Sequence, residues 1–423
     1  MYFDFVKKLK IPGDNTRLFK HAQNLWKTCC SAEESVRTDP NQAVKYTRDA
    51  EDILVKGLLK EDGYMDIQDF VPLKSLIETY STRCLFISDK CADELQELRK
   101  KVNGSAHANP HYTIEKAFRY VKELYGIIAR IFGVNVPDLE LEQLPIGKYS
   151  IIDRVKAAGY ESVCGGYNYI GKNENRSINT YVYIRPFSGE NERNRKVFNE
   201  RDIEVQKFFK NMRGSLHVIR ADEIPTISSC EMRYLAYEIQ ENTKTLNQIE
   251  NTLSPKDLLE VIAQVAQGLS ELASPKINIH HRGIRPTCIF VTEYIDGLDA
   301  KLGCFETAKI EYKEKTIETV YSYTKEAYGT SIFVHPQLRT MENVTGPQWE
   351  AGDVYALAAI ILNSLDSEAF DEGNIDYSIL TEYFSDEFVA MMTRILVTGA
   401  LEVIPPMKEF YEMLSEEVEN GED

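Results

Sequence analysis

Two different spacings of hydrophobic residues divide this chain. Through about residue 135, apolar side chains recur every three or four positions, which is the spacing of helices that bury one face. The pattern predicts helices over 16–31, 41–60, 67–86, 90–102 and 111–132. In the last of these, one apolar stripe consists of Ala117, Val121, Leu124, Ile128 and Ile131. We therefore predict an antiparallel helical bundle over residues 1–135.

The second spacing begins after residues 136–148, which lack helical periodicity and contain two prolines, and which we predict to be a linker. Alternation of apolar and polar residues is typical of strands. It predicts strands at 149–155, 162–164, 180–185, near 216–220 and near 233–239, with a helix near 198–211. From 255 to about 415 the pattern is mostly helical, and 416–423 form an acidic tail. The predicted fold class is α+β.

The charge of the chain is unevenly distributed. The 423 residues carry a net charge of −17, and 43% of them are hydrophobic, which is enough for two or more packed cores. Residues 1–143 hold 21 Lys and Arg against 22 Asp and Glu, so the remainder carries −16. We expect that remainder to repel nucleic acid and anionic membranes. Any contact with RNA would therefore use the helical bundle.

Localisation and metal content are predicted from what the sequence lacks. No uncharged apolar run approaches the ~18 residues that a membrane span requires. The first ten residues lack the apolar core of a secretory signal. The eight cysteines show no CxxC pair and no spacing with histidine that is typical of zinc. We expect a cytoplasmic protein with reduced thiols, no metal and no membrane contact.

Residues 279–291, IHHRGIRPTCIFV, contain the densest set of recognisable positions. They resemble the catalytic loop of protein kinases, IxHRDLKPxNILV. His281 and Arg282 match the His-Arg pair. Gly283 stands at the catalytic base, Arg285 at the lysine and Cys288 at the metal-binding asparagine. The resemblance therefore implies a kinase-like domain whose base and one metal ligand have been replaced.

Further motifs follow in the order that kinases use. Residues 301–309, KLGCFETAK, resemble the KLxDFGxAK segment, with Cys304 at the second metal ligand. Asp353 matches the buried aspartate that begins a later helix. Upstream, Arg185 stands at the lysine of VAIK and Asp202 at the acidic partner on the following helix. The phosphate-binding loop would lie at 156–161, where Glu161 would repel phosphate.

The resemblance implies a bilobal domain over 149–415, with a five-stranded N-lobe and a helical C-lobe. Phosphotransfer needs a carboxylate base and oxygen ligands for magnesium, and Gly283, Cys288 and Cys304 supply neither. We expect no cofactor, although binding of a nucleotide without metal stays open. Arg282 and Asp353 are expected to be structural. Arg185 and Asp202 are expected to form an ion pair.

The fourth predicted helix ends in a second motif, LRKKVNGSAHA at 98–108. It resembles the signature of HEPN-like helical domains, which are frequent in prokaryotic defence proteins. The resemblance implies dimerisation, and in catalytic members an Arg and a His cleave RNA without metal. Arg99 and His107 would be that pair here. On an unbroken helix they would lie ~12 Å apart along the axis, farther than one phosphate allows.

Two functions remain at this stage. In the first, an inactive kinase-like domain is a regulator or scaffold that recognises a partner protein, and the helical domain forms a homodimer, in defence or stress signalling. In the second, the helical domain is a metal-independent ribonuclease whose kinase-like domain senses a trigger. The acidic surface favours the first, and the Arg99/His107 pair favours the second.

Overall fold

The computed structural model of the protein describes most of the chain. The described residues are 1–14, 16–64, 71–78, 84–103, 111–156, 167–173, 180–188, 201–208, 217–227, 232–310, 331–341, 344–371, 374–397 and 400–420. The chain divides into two compact units. The first comprises 1–155, 169–180 and 224–234, and the second comprises 156–168, 181–223 and 235–423. The domain boundaries given above stay predictions.

Helices dominate the first unit. The long ones are α1 (Ala22–Ser35), α2 (Pro40–Glu61), α3 (Asp89–Asn103) and α4 (Ile114–Ile131). Shorter helical turns cover Tyr2–Lys8, Leu73–Leu76 and Leu141–Gln143. The helix predicted over 67–86 is wrong in extent, because its described part holds only Leu73–Leu76 and the helical turn that continues from it.

Local sequence explains where these helices begin. The Asp39 carboxylate accepts a hydrogen bond from the Gln42 amide at 2.9 Å, and Pro40 occupies the first turn, where its missing N–H is not needed. Thr113 caps α4 through the Lys116 amide at 3.2 Å. The predicted stripe of α4 is buried in a core that it shares with the other helices.

Residues 136–148, predicted to be a linker, are fixed to α4. The Tyr125 hydroxyl donates to the Pro137 carbonyl at 3.0 Å, and the Lys122 ammonium donates to the Leu139 carbonyl at 2.9 Å. Leu139 and Leu144 are buried in the helical core. This segment therefore packs as part of the first unit.

Arg37, between α1 and α2, explains why two later segments belong to the first unit. Its guanidinium carbon lies 4.4 Å from the ring centre of Tyr169 and 5.7 Å from that of Tyr234. The Ile227 amide also donates to the Thr38 carbonyl at 3.1 Å. Because Arg37 is buried, these cation–π contacts are among the stronger ones, and they fix the segments that contain Tyr169 and Tyr234 to the first unit.

Five strands form one sheet with the order β1-β2-β3-β5-β4. They are β1 (Ser150–Lys156), β2 (Tyr167–Asn173), β3 (Thr180–Ser188), β4 (Ala221–Ile224) and β5 (Met232–Ile239). The second strand predicted at 162–164 lies outside the described residues. Strand β2 lies between the strands predicted at 162–164 and 180–185, and β4 begins after the predicted 216–220. Residues 201–208 form helix α5.

The rest of the chain is mainly helical. Its long helices are α6 (Pro255–Ala273), α7 (Gly346–Leu365), α8 (Asp386–Val397) and α9 (Met407–Asn420). Short helical turns cover Leu246–Ile249, Glu250–Thr252, Pro286–Cys288, Phe305–Thr307, Pro336–Arg339, Leu380–Tyr383 and Leu401–Val403. The predicted tail from 416 is helical to Asn420, because α9 buries Met407, Phe410 and Leu414. The α+β class, with a helical N-terminal part, a five-stranded sheet and a helical C-terminal part, is confirmed.

Small antiparallel ladders complete this part of the chain. Strand β6 (Thr243–Thr245) pairs with β8 (Ile289–Tyr294), which pairs with β9 (Gly297–Leu302). Strand β7 (Ile279–His280) pairs with β10 (Lys309–Ile310), and β11 (Phe370–Asp371) pairs with β12 (Asn374–Ile375). The β8–β9 hairpin brings Cys288 beside Gly303, because Ile289 is paired with Leu302. Within the described part, no helix has the length and hydropathy that crossing a bilayer requires.

Candidate functional site

Asp353, in the first half of α7, holds the loop that resembles a catalytic loop. Its two carboxylate oxygens accept hydrogen bonds from the backbone amides of His281 and Arg282, both at 2.8 Å. Burial raises the pKa of Asp353 to about 7, although the two amide donors oppose this shift. Arg282 has a φ of +63°, a left-handed conformation that costs energy in a non-glycine residue. The carboxylate thus fixes a strained backbone.

The side chains of the same two residues hold the following segment. The His281 Nε2 atom lies 2.8 Å from the Gly303 carbonyl oxygen. The Arg282 Nε atom donates to the Thr307 carbonyl at 2.6 Å, and its guanidinium lies over the Trp349 ring. These contacts fix residues 303–307 against the loop.

Gly283, at the catalytic-base position, has no room for a side chain. A Cβ atom added there would lie 2.5 Å from the Thr307 hydroxyl oxygen, inside any real contact distance. That hydroxyl is held in place because it donates to the His281 carbonyl at 3.0 Å. A carboxylate at this position would therefore require residue 307 to move. Thr307 occupies the space in which a catalytic aspartate would begin.

Glu306 forms the centre of a buried charged cluster, which we call the Arg–Glu–Arg triad (Arg185, Glu306 and Arg285). Arg185 binds both oxygens of Glu306, with nitrogen–oxygen distances of 2.9 and 3.0 Å. Arg285 donates to one of the same oxygens at 3.1 Å. Glu306 is fully buried, and Arg185 and Arg285 are 2% and 11% exposed. A bidentate pair in this geometry is both strong and directional.

The triad decides the ionisation of Glu306. Burial by itself would raise the pKa of the carboxyl, but the charges of Arg185 and Arg285 and the Arg185 hydrogen bonds lower it to about 2. Glu306 is therefore ionised at neutral pH. Arg185 and Arg285, which stand at the lysine positions of two motifs that resemble those of kinases, therefore share the carboxylate of Glu306.

Asp202 has partners that differ from the expected ion pair with Arg185. One carboxylate oxygen accepts hydrogen bonds from the Tyr237 hydroxyl at 2.7 Å and from the Phe305 amide at 2.9 Å. Burial, followed by the charge of Glu306, raises the pKa of Asp202 to about 6. The expectation of an Arg185–Asp202 bridge is wrong, because the adjacent Glu306 takes both donor groups of Arg185. Asp202 instead holds the backbone that precedes Glu306.

Cys288 and Cys304, at the two metal-ligand positions, face each other. Both thiols are fully buried, and the Cys288 sulfur lies 3.7 Å from the Gly283 carbonyl. Burial raises the pKa of the Cys304 thiol well above its ordinary value. Magnesium requires oxygen ligands in octahedral geometry, and two buried thiols do not provide them. Among the described residues, no group of three or more His, Cys, Asp and Glu side chains is arranged to hold a metal.

Other predicted positions lie outside the described residues. These include most of the phosphate-loop stretch, namely 157–161 with Glu161. In the helical unit, His107 also lies outside them. Arg99, near the end of α3, donates to the Gln96 side chain at 2.9 Å. The ribonuclease pair stays a prediction.

Glu51, on α2, was not singled out in the sequence. It is fully buried, and neither of its carboxylate oxygens has a hydrogen-bond partner. Burial raises the pKa of Glu51 to about 8, although the charge of Arg99 opposes this shift. One signal could have found it: Glu51 stands seven positions after Val44 and seven before Leu58, on the buried stripe of α2, whereas Asp49 is exposed.

No protein-family model and no curated protein matches the chain. Among solved structures, it is similar to the Rad53 kinase domain and SCD2, at 13% identity and a TM-score of 0.44, over 62% of this chain and 85% of that chain. It is also similar to the kinase domain of Mycobacterium tuberculosis PknI, at 14% identity and a TM-score of 0.45, over 65% of this chain and 98% of that chain.

Proposed function

We propose that the C-terminal part of this protein is a kinase-like domain that does not transfer phosphoryl groups and that is a regulator or scaffold binding a partner protein. The observation that carries this proposal is the Arg–Glu–Arg triad. The two basic side chains that would contact nucleotide phosphates both bind Glu306, which is buried between them. Binding of a triphosphate would require this carboxylate to leave.

Two further observations support the absence of phosphotransfer. Gly283 supplies no base, and the Thr307 hydroxyl fills the space beside it. Cys288 and Cys304 supply thiols where magnesium needs oxygen. Restoring one position would not restore the reaction, because base, metal ligands and phosphate contacts are replaced together.

The proposal extends to the rest of the molecule. The helical part is a self-association module, in a cytoplasmic protein of the defence or stress-signalling type. This extension is supported by the HEPN-like motif at 98–108 and by the nearly neutral charge of residues 1–143. Sedimentation equilibrium of the full chain tests it, since a homodimer has twice the 48.4 kDa of one chain.

The experiment that tests the loss of chemistry is a transfer assay. The full chain is incubated with γ-labelled ATP, magnesium or manganese, and a general acceptor protein. We expect no label on the chain or on the acceptor above the level of a Glu306→Ala, Arg185→Ala double variant. Label that exceeds this level in the wild type and is lost in the double variant overturns the proposal.

The alternative, a metal-independent ribonuclease, has its own test. If the helical part cleaves RNA, the purified chain degrades a single-stranded RNA in the presence of a chelator, and His107→Ala abolishes this activity. Intact RNA with the wild-type chain, at concentrations at which it dimerises, argues against this alternative.

A further inference from the structure

A cavity of about 570 Å³ lies within the first unit, alongside strand β1. It is lined by Glu33 of α1, by residues between 137 and 145, and by the consecutive run Ser150–Arg154. Its volume lies in the range of ligand-binding pockets, roughly 300–1,000 Å³. The cavity uses none of the residues of the Arg–Glu–Arg triad.

The lining shows which side of β1 faces the cavity. Successive side chains of a strand point to opposite faces of the sheet. A cavity over one face would be lined by every second residue, whereas this one is lined by five residues in a row. The cavity therefore runs along the edge of the strand, where the backbone N–H and C=O groups lie.

Strand β1 is the outermost strand of its sheet, as far as the described strands show. An edge strand presents backbone donors and acceptors to which another extended segment can pair. The central residues of β1 are exposed, and Ile152 exposes 52% of its surface. The edge is thus long enough and open enough for a short added strand.

Glu33 supplies a second, independent feature. It is 1% exposed, yet it lines the cavity. One carboxylate oxygen accepts the Tyr2 amide at 3.1 Å, and the other, Oε2, has no hydrogen-bond partner. Nearly all buried polar atoms in folded proteins have a partner, and a carboxylate can only accept. Burial raises the pKa of Glu33 to about 7, so the carboxyl is partly protonated near neutrality, and in its ionised form the missing partner is a donor.

The charge of the cavity indicates what kind of donor fits. Glu142 and Asp153 line it together with Glu33, against the side chain of Arg154 and the N-terminal amino group of Met1, which also lines the cavity and acts on Glu33. This excess of carboxylates favours a cationic group over a neutral one. A lysine side chain that leaves an extended backbone reaches several ångströms and ends in three donors.

We propose that this cavity binds an extended peptide segment of a partner protein, which pairs with the edge of β1 and places a lysine ammonium on Glu33. In such strand addition, main-chain hydrogen bonds provide affinity and a side-chain pocket provides specificity. The proposed function includes a partner protein, and this proposal gives the surface to which that partner binds. It rests on the proposed function only because it requires such a partner.

The test uses the full chain and the pentapeptide Thr-Val-Lys-Val-Thr-amide, labelled with fluorescein at its N-terminus, in an anisotropy titration at low salt. Three comparison ligands accompany it: the same peptide with norleucine for lysine, the same peptide with N-methylated amides, and n-butylamine. We expect saturable binding of the first peptide and a loss of roughly tenfold or more in affinity for norleucine and for N-methylation. Glu33→Gln should cause a similar loss, whereas the exposed control Glu412→Gln should not.

Hydrogen exchange of the wild-type chain provides a measurement that does not depend on the variant folding. The peptide should slow exchange of amides within 150–156, and n-butylamine should not. The proposal is overturned if no saturable binding occurs up to about 1 mM peptide, if N-methylation has no effect, or if n-butylamine competes as well as the peptide. These outcomes do not depend on phosphotransfer, so this proposal and the proposed function fail separately.

Discussion

Two of the fully buried carboxyl groups, those of Glu306 and Glu51, have opposite electrostatic environments. Glu306, in the second unit, is held by two guanidinium groups, and its pKa is lowered to about 2. Glu51, in the first unit, has no hydrogen-bond partner, and its pKa is raised to about 8. Burial acts on both in the same direction, so the partners decide the result. The difference teaches that the buried carboxylate of the second unit has a complete set of partners, whereas α2 buries a carboxyl that has no hydrogen-bond partner.

The two tryptophans allow this comparison to be measured in one chain. Trp26 lies in α1 of the first unit and Trp349 lies in α7 of the second. A Trp26→Phe or Trp349→Phe background therefore leaves a fluorescence signal from one unit at a time. Because two units need not unfold together, each transition is followed by its own denaturant midpoint.

The largest effect is expected from Glu306→Gln. This change keeps the shape of the side chain but leaves two buried arginines without an anion, which costs about 3–5 kcal/mol. The urea midpoint reported by Trp349 should fall, and the midpoint reported by Trp26 should change little. The surface control Glu412→Gln should alter either midpoint by less than about 0.5 kcal/mol. A Glu306 variant as stable as the control would show that the triad is not a stabilising unit.

The second effect concerns Gly283→Ala. The added methyl group would meet the Thr307 hydroxyl, so we expect a loss of about 1–3 kcal/mol from overpacking. The same change in a Thr307→Ala background should cost much less, because the obstructing oxygen is absent. A double-mutant cycle measures this coupling. Additive effects would contradict the contact between these two positions.

The third effect has the opposite sign. Glu51→Met replaces an unpartnered carboxyl with an apolar side chain of similar length, so we expect stabilisation of about 1–3 kcal/mol. The midpoint reported by Trp26 should rise. If it falls, Glu51 has a favourable interaction that the structure does not describe.

The smallest effect is a dependence of stability on pH. The pKa values of Asp202, Asp353 and Glu51 are raised, to about 6, 7 and 8. These carboxyls bind more protons in the folded protein than in the unfolded chain near neutrality, so stability should rise as the pH falls from 8 towards 5. His281 and His335, whose pKa values burial lowers to about 4, oppose this rise below about pH 6.5. Glu306 acts in the same direction as these histidines, because its stabilising contribution is present above about pH 4.5 and is lost as the pH falls towards 2.

A series of urea midpoints between pH 3 and pH 8 measures this profile. We expect a maximum near pH 5. In Glu306→Gln the decline on the acid side attributed to this carboxyl should disappear, whereas the decline towards pH 8 should remain. A profile that rises continuously to pH 8 would contradict the raised pKa values.

Much of the fold was predictable from the sequence, because it depends on periodicity and on ordered motifs. The buried stripe of α4, the cap at Asp39 and the positions of β3 and β5 follow from residue spacing alone. The limits of β2 and β4 did not follow, because short strands rich in turn residues depend on their neighbours in the sheet.

The sequence indicates which residues of the kinase-like motifs are replaced, but it does not indicate which contacts the replacing residues make. Gly283, Cys288 and Cys304 could be assigned from motif positions. The partner of Arg185 could not, because both Asp202 and Glu306 stand within motifs that come together only in the folded chain. One signal was present in the sequence: arginines replace both lysines, and a glutamate replaces the glycine beside them. Such a set of complementary charges predicts an internal ion cluster.

The measurement that tests the central claim most directly is thermal unfolding of the full chain with ATP, with and without magnesium. The account predicts no magnesium-dependent rise in the unfolding temperature, because the thiols of Cys288 and Cys304 do not hold that ion and Glu306 occupies both arginines. A rise that requires magnesium, and that disappears in Arg185→Ala, would contradict it.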